Sequence, residues 1–384
     1  MELKPYLSVV VGARNDDHGG DFLSRFQLFL NTLHSHFQGS DLSVEVVIVE
    51  WNPPIDRPPL RDALDWPQTS RSFSVKIVTF PPKLHDELSG GSSLSFHQMI
   101  AKNVGIRRAT GRFVLATNAD ILFSSALANF LRHKSLDAGS IFRANRHDIP
   151  AEPPDQLSLG DFMAYCEKET FRRHMAVGTI SASDPVAQEW LLSLRRSILS
   201  LTLFSKSWPV SYPLFGLLGS LFQLNVNGST SSTWARYQHA IARADRYAKF
   251  YRLCGLAHTN ACGDFTLMAK EDWETVGGYP EWPNHPMHMD GILCYAALFK
   301  GIRERTLPPS HCVYHMEHGG PTGFQNYGEA AYWENSDQSG TRRLTDDDYL
   351  EIVEDLFRGR EAVPLAGENW GLADYELDEQ RIGS

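Results

Sequence analysis

The 384-residue chain has no Lys/Arg-rich run, and its 46 Asp and Glu outnumber 36 Lys and Arg, leaving a net charge of −10. A duplex-binding surface needs clustered cations to displace counterions, so nucleic acid is not an expected partner. Cysteine is scarce: the five residues are an odd number, widely spaced and without a CxxC pair. That excludes a disulfide framework and a cysteine zinc knuckle. No stretch reaches the ~20 apolar residues that span a bilayer. The most apolar run, residues 213–224 (PLFGLLGSLFQL), is too short, and Pro209 and Lys206 interrupt it upstream. The opening residues lack the basic segment and apolar stretch of a secretory signal, so the expectation is a cytoplasmic, reduced protein. Repeats and low-complexity tracts are missing too. What is plentiful is apolar mass, 42% hydrophobic against 21% charged, with 21 Phe, 13 Tyr and 9 Trp. Such a chain buries a large core and is not disordered. At ~150 residues per domain, its length predicts two to three domains.

Residues 1–149 alternate strand and helix signals. Leu7-Ser-Val-Val-Val11 reads as a buried strand, followed by a polar loop and then Phe22, Phe26, Phe29, Leu30, Leu33 and Phe37 at helical spacing. Strands are also predicted at 44–49, 75–80 and 113–117, with a helix marked by Phe96, Met99, Ile100, Val104 and Ile106. The proline-rich stretch 53–67 reads as irregular. Alternation of this kind implies right-handed crossovers and a mainly parallel sheet, with ligands at the carboxyl ends of its strands. Arg14, Glu50, Asn118 and Asp120 all fall at those ends. Residues 150–255 read as a mainly helical insertion. Residues 256–320 are dense in motifs, and 321–384 form an acidic tail expected to pack loosely over the surface.

The motifs, in order, are Val-Val-Val-Gly-Ala-Arg-Asn15, Val-Ile-Val-Glu-Trp-Asn52, Ala-Lys-Asn-Val-Gly-Ile106 and Thr-Asn-Ala-Asp120. Later come Gly-Asp-Phe265, Gly-Gly-Tyr-Pro280, Met-Asp-Gly291 and Tyr-His-Met-Glu-His318. Together they resemble a GT-A glycosyltransferase of the family 2 type, over residues 5–145 and 256–320. The resemblance implies an α/β fold with a Rossmann-like nucleotide-binding half and an acceptor-binding half. It also implies a UDP-sugar or GDP-sugar donor, a hydroxyl acceptor (glycan, lipid or small molecule), and Mn²⁺ or Mg²⁺ on the diphosphate. A hard cation held by oxygen ligands suits this chemistry, because the acidic chain cannot neutralise the leaving diphosphate with its bulk charge.

By the same resemblance, Asp120 and His315 hold the metal, His318 lies behind it or on the acceptor side, and Val11, Ala13 and Arg14 line the nucleotide. Glu50 bonds the base or ribose, while Lys102 and Asn103 match the family's Arg-Asn pair and reach the base or a phosphate. The family usually has Asp-x-Asp where this chain has Asn118-Ala-Asp120, so one charge is missing. An inverting transfer needs a carboxylate to take the acceptor's proton. Asp290 matches that slot, with Asp264 as its rival or as an acceptor-binding carboxylate. Plainer readings stand beside these: helix caps for Asp290 and Asn118, a core amide for Asn103, a solvated lysine for Lys102 and surface imidazoles for the histidines. Trp282 is the one aromatic given a binding role.

Three other readings compete. A nucleotidyltransferase would carry a cationic glycine-rich loop after the first strand, where this chain has Asp16 and Asp17. A non-catalytic sugar-nucleotide-binding protein is compatible with Asn118. A zinc hydrolase would use His285, His288, Asp290, His315 and His318. Finally, 213–224 reads either as a buried helix or as an apolar surface for peripheral membrane contact or self-association.

Overall fold

The computed structural model describes residues 4–70, 72–150, 154, 157–176, 178–181, 246–247, 249–318, 342–360 and 367–383. Its centre is the parallel set β1 (Leu7–Ala13), β2 (Val44–Trp51), β3 (Phe73–Phe80) and β4 (Phe113–Thr117), side by side in the order β4-β1-β2-β3. Every residue of β1, β2 and β4 is buried, as expected for strands covered on both faces. Helix α1 (Phe22–Phe37) covers one face with Phe26, Phe29, Leu30, Leu33 and Phe37, against Val9 and Val11. Two short helices, α2 (Leu60–Ala63) and α3 (Pro82–Leu88), lie in the connections, so the proline-rich 53–67 is not wholly irregular. Helix α4 (Gln98–Arg108) covers the other face against Val10 and Val47. It comes so close that a Cβ on Gly105 would lie 2.4 Å from Val10 Cγ1. Only glycine admits that approach.

Beyond β4 the chain runs through β5 (Ile121–Phe123), α5 (Ser125–Arg132), β6 (Ser140–Arg143), β7 (Arg146–Pro150), α6 (Leu159–Lys168), β8 (Arg172–Met175) and β9 (Gly178–Ser181). It resumes with β10 (Thr266–Ala269), α7 (Lys270–Val276), α8 (Met289–Phe299), β11 (Arg303–Thr306), β12 (Val313–Glu317), α9 (Asp346–Phe357) and β13 (Asp378–Arg381). The eight-stranded central sheet has the order β11-β6-β10-β4-β1-β2-β3-β13, with β10 and β13 antiparallel to their neighbours. The fold is thus mixed α/β with a mostly parallel central sheet. A second sheet, β5-β12-β7-β8-β9, pairs β12 parallel to β7 and antiparallel to β5.

The described part of the insertion holds α6, the hairpin β8–β9, which extends the second sheet, and a helical stretch at 246–247 and 249–254; residues 213–224 lie outside the described residues. The described C-terminal residues, 342–360 and 367–383, differ from expectation in not being loosely packed. In α9, Tyr349, Leu350 and Val353 are buried with Ile292 and Tyr295 of α8, and β13 pairs with β3. The acidity of the region masks an apolar stripe and a Thr345/Asp348 capping box that start and anchor this helix. Among the described residues, no helix is long and apolar enough to cross a membrane.

Candidate active site

At the carboxyl end of β1, the Val11 and Ala13 side chains are buried in the core, so only their backbone can face a ligand. Arg14 follows, donating from Nε to the Asn52 carbonyl (2.8 Å) and pairing with Asp16 (2.8 Å). Glu50, at the end of β2, is 1% exposed and accepts from the Leu60 amide at 2.7 Å. Burial pushes its carboxyl above the usual range, against that hydrogen bond. Lys102 and Asn103, on the buried side of α4, point away from solvent. Asn103 donates to the Tyr279 carbonyl and to Glu281 (both 2.9 Å) and accepts from the Tyr279 amide (2.8 Å), clamping the Gly-Gly-Tyr turn. Its plainer reading as a core amide is the one the contacts describe.

Lys102 is no solvated lysine. Fully buried, it donates to the Gly263 carbonyl at 2.6 Å. Burial pushes its ammonium down to about 8, against the attraction of Asp264, Asp290 and Asp120. Asp290 lies in the first turn of α8, two residues past the N-cap His288, and its Oδ1 accepts from the Gly291 amide at 2.9 Å. Its other oxygen faces Gly263, where a Cβ would lie 3.1 Å away. Asp264 is engaged on both oxygens, by the Asn118 amide (2.7 Å) and by Arg146 (2.8 Å). Asn118 in turn accepts from Gln98 at 2.8 Å. Trp282 is half-buried against the apolar clusters around α8.

Three side chains converge beyond β4. Asp120 sits in the turn between β4 and β5, His315 on β12 opposite Ile121, and His318 just past the end of β12. His318 Nε2 is 3.2 Å and His315 Nε2 3.7 Å from Asp120 Oδ2. One ligand atom of each lies within 4.8 Å of the others. Burial alone would push the Asp120 carboxyl up, yet the two imidazoles outweigh it and hold the carboxyl well below its usual range. For His315, burial and Arg146 favour the neutral ring, but Asp120 and Asp148 prevail and raise it to about 9. Asp120 Oδ1 is buried and has no hydrogen-bond partner among the described residues. Two imidazole nitrogens, one carboxylate and an orphaned carboxylate oxygen fit a divalent cation.

A second geometric trio, Asp148, His315 and Glu317, is a different case. Arg172 already pairs with both carboxylates, at 2.7 Å from Glu317, and Arg146 and His174 pair with Asp148. Guanidinium charge fills the place a second cation would need. His285 and His288 join neither group. His288 stacks on Tyr349 at 4.8 Å and pairs with Asp346 at 3.2 Å, so the five-residue zinc set does not converge.

The sequence reading missed the loop beneath this cluster. His18 meets His318 edge-on, with ring centroids 5.2 Å apart. Gly19, at φ +74°, comes so close that a Cβ there would lie 2.3 Å from His318 Nδ1. Arg25, 4% exposed on α1, holds the loop by donating to the His18 carbonyl at 2.6 Å and to that of Gly20. Also missed were Arg146, Asp148, Arg172, His174 and Glu317. Their signal was charge alternating at period two on short segments, the mark of one polar sheet face.

No family model and no curated protein matches this chain. Among solved structures it is similar to the mannosyltransferase PcManGT from Pyrobaculum calidifontis in complex with GDP-Man and Mn²⁺, with TM-score 0.39 and 13% identity, covering 92% of this chain and 70% of that one. It is also similar to S. aureus TarS, with TM-score 0.36 and 13% identity, covering 92% of this chain and 43% of TarS, so it spans less than half of that protein.

Proposed function

We propose that the chain is a metal-dependent GT-A glycosyltransferase that moves a sugar from a nucleotide-diphosphate donor to an acceptor hydroxyl, with inversion. The observation that carries this reading is the convergence of Asp120, His315 and His318 at the carboxyl end of the central sheet, with Asp120 Oδ1 unpartnered among the described residues. A divalent ion held there supplies charge stabilisation to the leaving diphosphate. Around it, the chain's own groups divide the work. Glu50 and Arg14, at neighbouring strand ends, bind the nucleoside. Asp290 takes the proton from the acceptor hydroxyl, its carboxylate fixed in the first turn of α8. Asp264 is committed to Asn118 and Arg146, which supports Asp290 over Asp264 as the base. Lys102, buried between these carboxylates, balances their charge and holds the 262–264 turn rather than reaching a base.

A thermal-shift panel of UDP, GDP, CMP and TDP, with and without Mn²⁺, tests the reading. Stabilisation by one diphosphate only when metal is present is the expected result. Tightly retained zinc without any nucleotide response would replace it with a zinc-binding protein of another class.

A further inference from the structure

We infer that Asp148 is a positioning residue for the metal: it fixes the ring of His315 so that Nε2, and not Nδ1, is presented beside Asp120. The inference rests on the metal reading above. Asp148 on β7 and His315 on β12 are register partners of two parallel strands, so their side chains rise side by side from one face of the second sheet. The imidazole lies between two carboxylates. Its Nδ1 is 3.3 Å from Asp148 Oδ1, a close contact in which both atoms are buried and neither has a hydrogen-bond partner among the described residues, and its Nε2 is 3.7 Å from Asp120 Oδ2. Among the described residues, Glu317 is the one other acid close to Nδ1, at 3.6 Å, and Arg172 holds it at 2.7 Å.

Asp148 is itself held. Its side chain is fully buried, and Arg146 Nε (2.8 Å), His174 Nε2 (2.9 Å) and Arg172 Nε surround it. A carboxylate enclosed by two guanidiniums has no open side for a cation. Asp120 differs, since its ion-pair partners among the described residues are imidazoles alone. What Asp148 can do is accept the Nδ1 proton. Accepting that proton would leave the Nε2 lone pair as the ring's only free ligand atom, and a flip of the ring would carry Nδ1 away from Asp148. Partners behind a ligating histidine typically set its tautomer, and removing them weakens metal binding ~10–100-fold.

Two measurements on the full chain test this. The first is Mn²⁺ affinity without nucleotide, from the free-ion EPR signal, in wild type, Asp148→Asn and Glu317→Gln. The expected result is a ~10–100-fold loss for Asp148→Asn and wild-type affinity for Glu317→Gln. Equal affinity in wild type and Asp148→Asn overturns the inference while leaving the metal reading standing. A wild-type chain that binds no Mn²⁺ overturns both. Because Asp148→Asn removes a buried charge that Arg146, Arg172 and His174 share and can fail to fold, the second measurement uses wild type loaded with Zn²⁺. Long-range ¹⁵N–¹H correlations, with His315 assigned by its loss in His315→Gln, should show a protonated Nδ1 and a metal-bound Nε2. A metal-bound Nδ1 overturns the inference. A residue that merely stabilised the sheet would leave the tautomer unset.

Discussion

Asn118 donates its side-chain amide to Asp264 at 2.7 Å, and this bond commits the first position of Asn-Ala-Asp to a carboxylate outside the proposed metal site of Asp120, His315 and His318. The motif therefore offers the cation one carboxylate, Asp120. In the proposed site, His318, 3.2 Å from Asp120, would supply an imidazole in place of the donor lost relative to Asp-x-Asp.

Asn118→Asp, which rebuilds Asp-x-Asp on paper, should not help metal binding. It replaces a donor with a carboxylate facing Asp264 at hydrogen-bonding distance. Losing a hydrogen bond to a buried, charged partner costs ~1–3 kcal/mol. Urea denaturation should show that loss, with Mn²⁺ affinity no better than wild type. Tighter Mn²⁺ binding in this variant would mean that position 118 is free to turn to the metal.

Asp120→Ala should abolish Mn²⁺-dependent nucleotide binding and leave the far-ultraviolet circular dichroism unchanged. His318→Ala should weaken it less and narrow the gap between ions. Two imidazoles and one carboxylate favour Mn²⁺ and other nitrogen-accepting ions over Mg²⁺, which prefers oxygen. Nucleotide-binding titrations with Mn²⁺ and Mg²⁺ on both variants would check this. Unchanged binding in Asp120→Ala removes the proposed site.

Asp290→Asn should bind donor as wild type does and lose transfer by ~10²–10⁴-fold, the usual contribution of a general base. An amide at this position still accepts from the Gly291 amide, so the helix start survives. Single-turnover rates at saturating donor would measure the step. Near wild-type transfer would argue for a retaining mechanism or another base.

Much of this was legible from patterns that act locally. Short continuous apolar runs located β1 to β4, and helical spacing located α1 and α4, because strands covered on both faces and packed helices write their burial directly into residue order. Asp120 was legible as a polar residue at the end of an apolar strand, and His315 only through the family resemblance; the structure brings the two side chains together. The rest depends on partners far apart in the chain. That Lys102 faces Gly263, 161 residues away, or that Asn103 holds Tyr279, follows from α4 lying across the sheet. No local feature of Ala-Lys-Asn-Val distinguishes a buried ammonium from a solvated one. The polar face built from Arg146, Asp148, Arg172 and Glu317 needed strand register as well as alternation. His18 was hidden by a loop whose fit to His318 depends on a missing Cβ at Gly19.

Acid should destabilise the chain well before its surface carboxylates titrate. Burial pushes four described histidines far below the ordinary 6.5: His36, His97 and His147 to about 4 and His258 to about 3. For His36 the Phe123 carbonyl resists the shift; for His97 and His258 the charges of His85 and Arg143 add to it. In the unfolded chain each ring takes a proton as pH falls through about 6.5, while the folded ring refuses it until about 4 or 3. Between those values the unfolded state holds more protons, so stability falls with pH, by about 1.4 kcal/mol per pH unit for each ring. Four rings give about 5.5 kcal/mol per unit near pH 5. Glu50 and Glu281, whose carboxyls burial raises, work in the opposite direction, so the isolating test is His97→Phe. Both His97 nitrogens lack a hydrogen-bond partner among the described residues, and its ring lies 5.2 Å from His85 and 6.0 Å from Trp51. Phenylalanine keeps the ring contacts and removes the proton site. Melting temperatures from pH 7.5 to 5 should fall less steeply in the variant than in wild type, with no loss at about pH 7.5, where the neutral ring predominates in both states. An unchanged slope would mean that His97 takes its proton without unfolding.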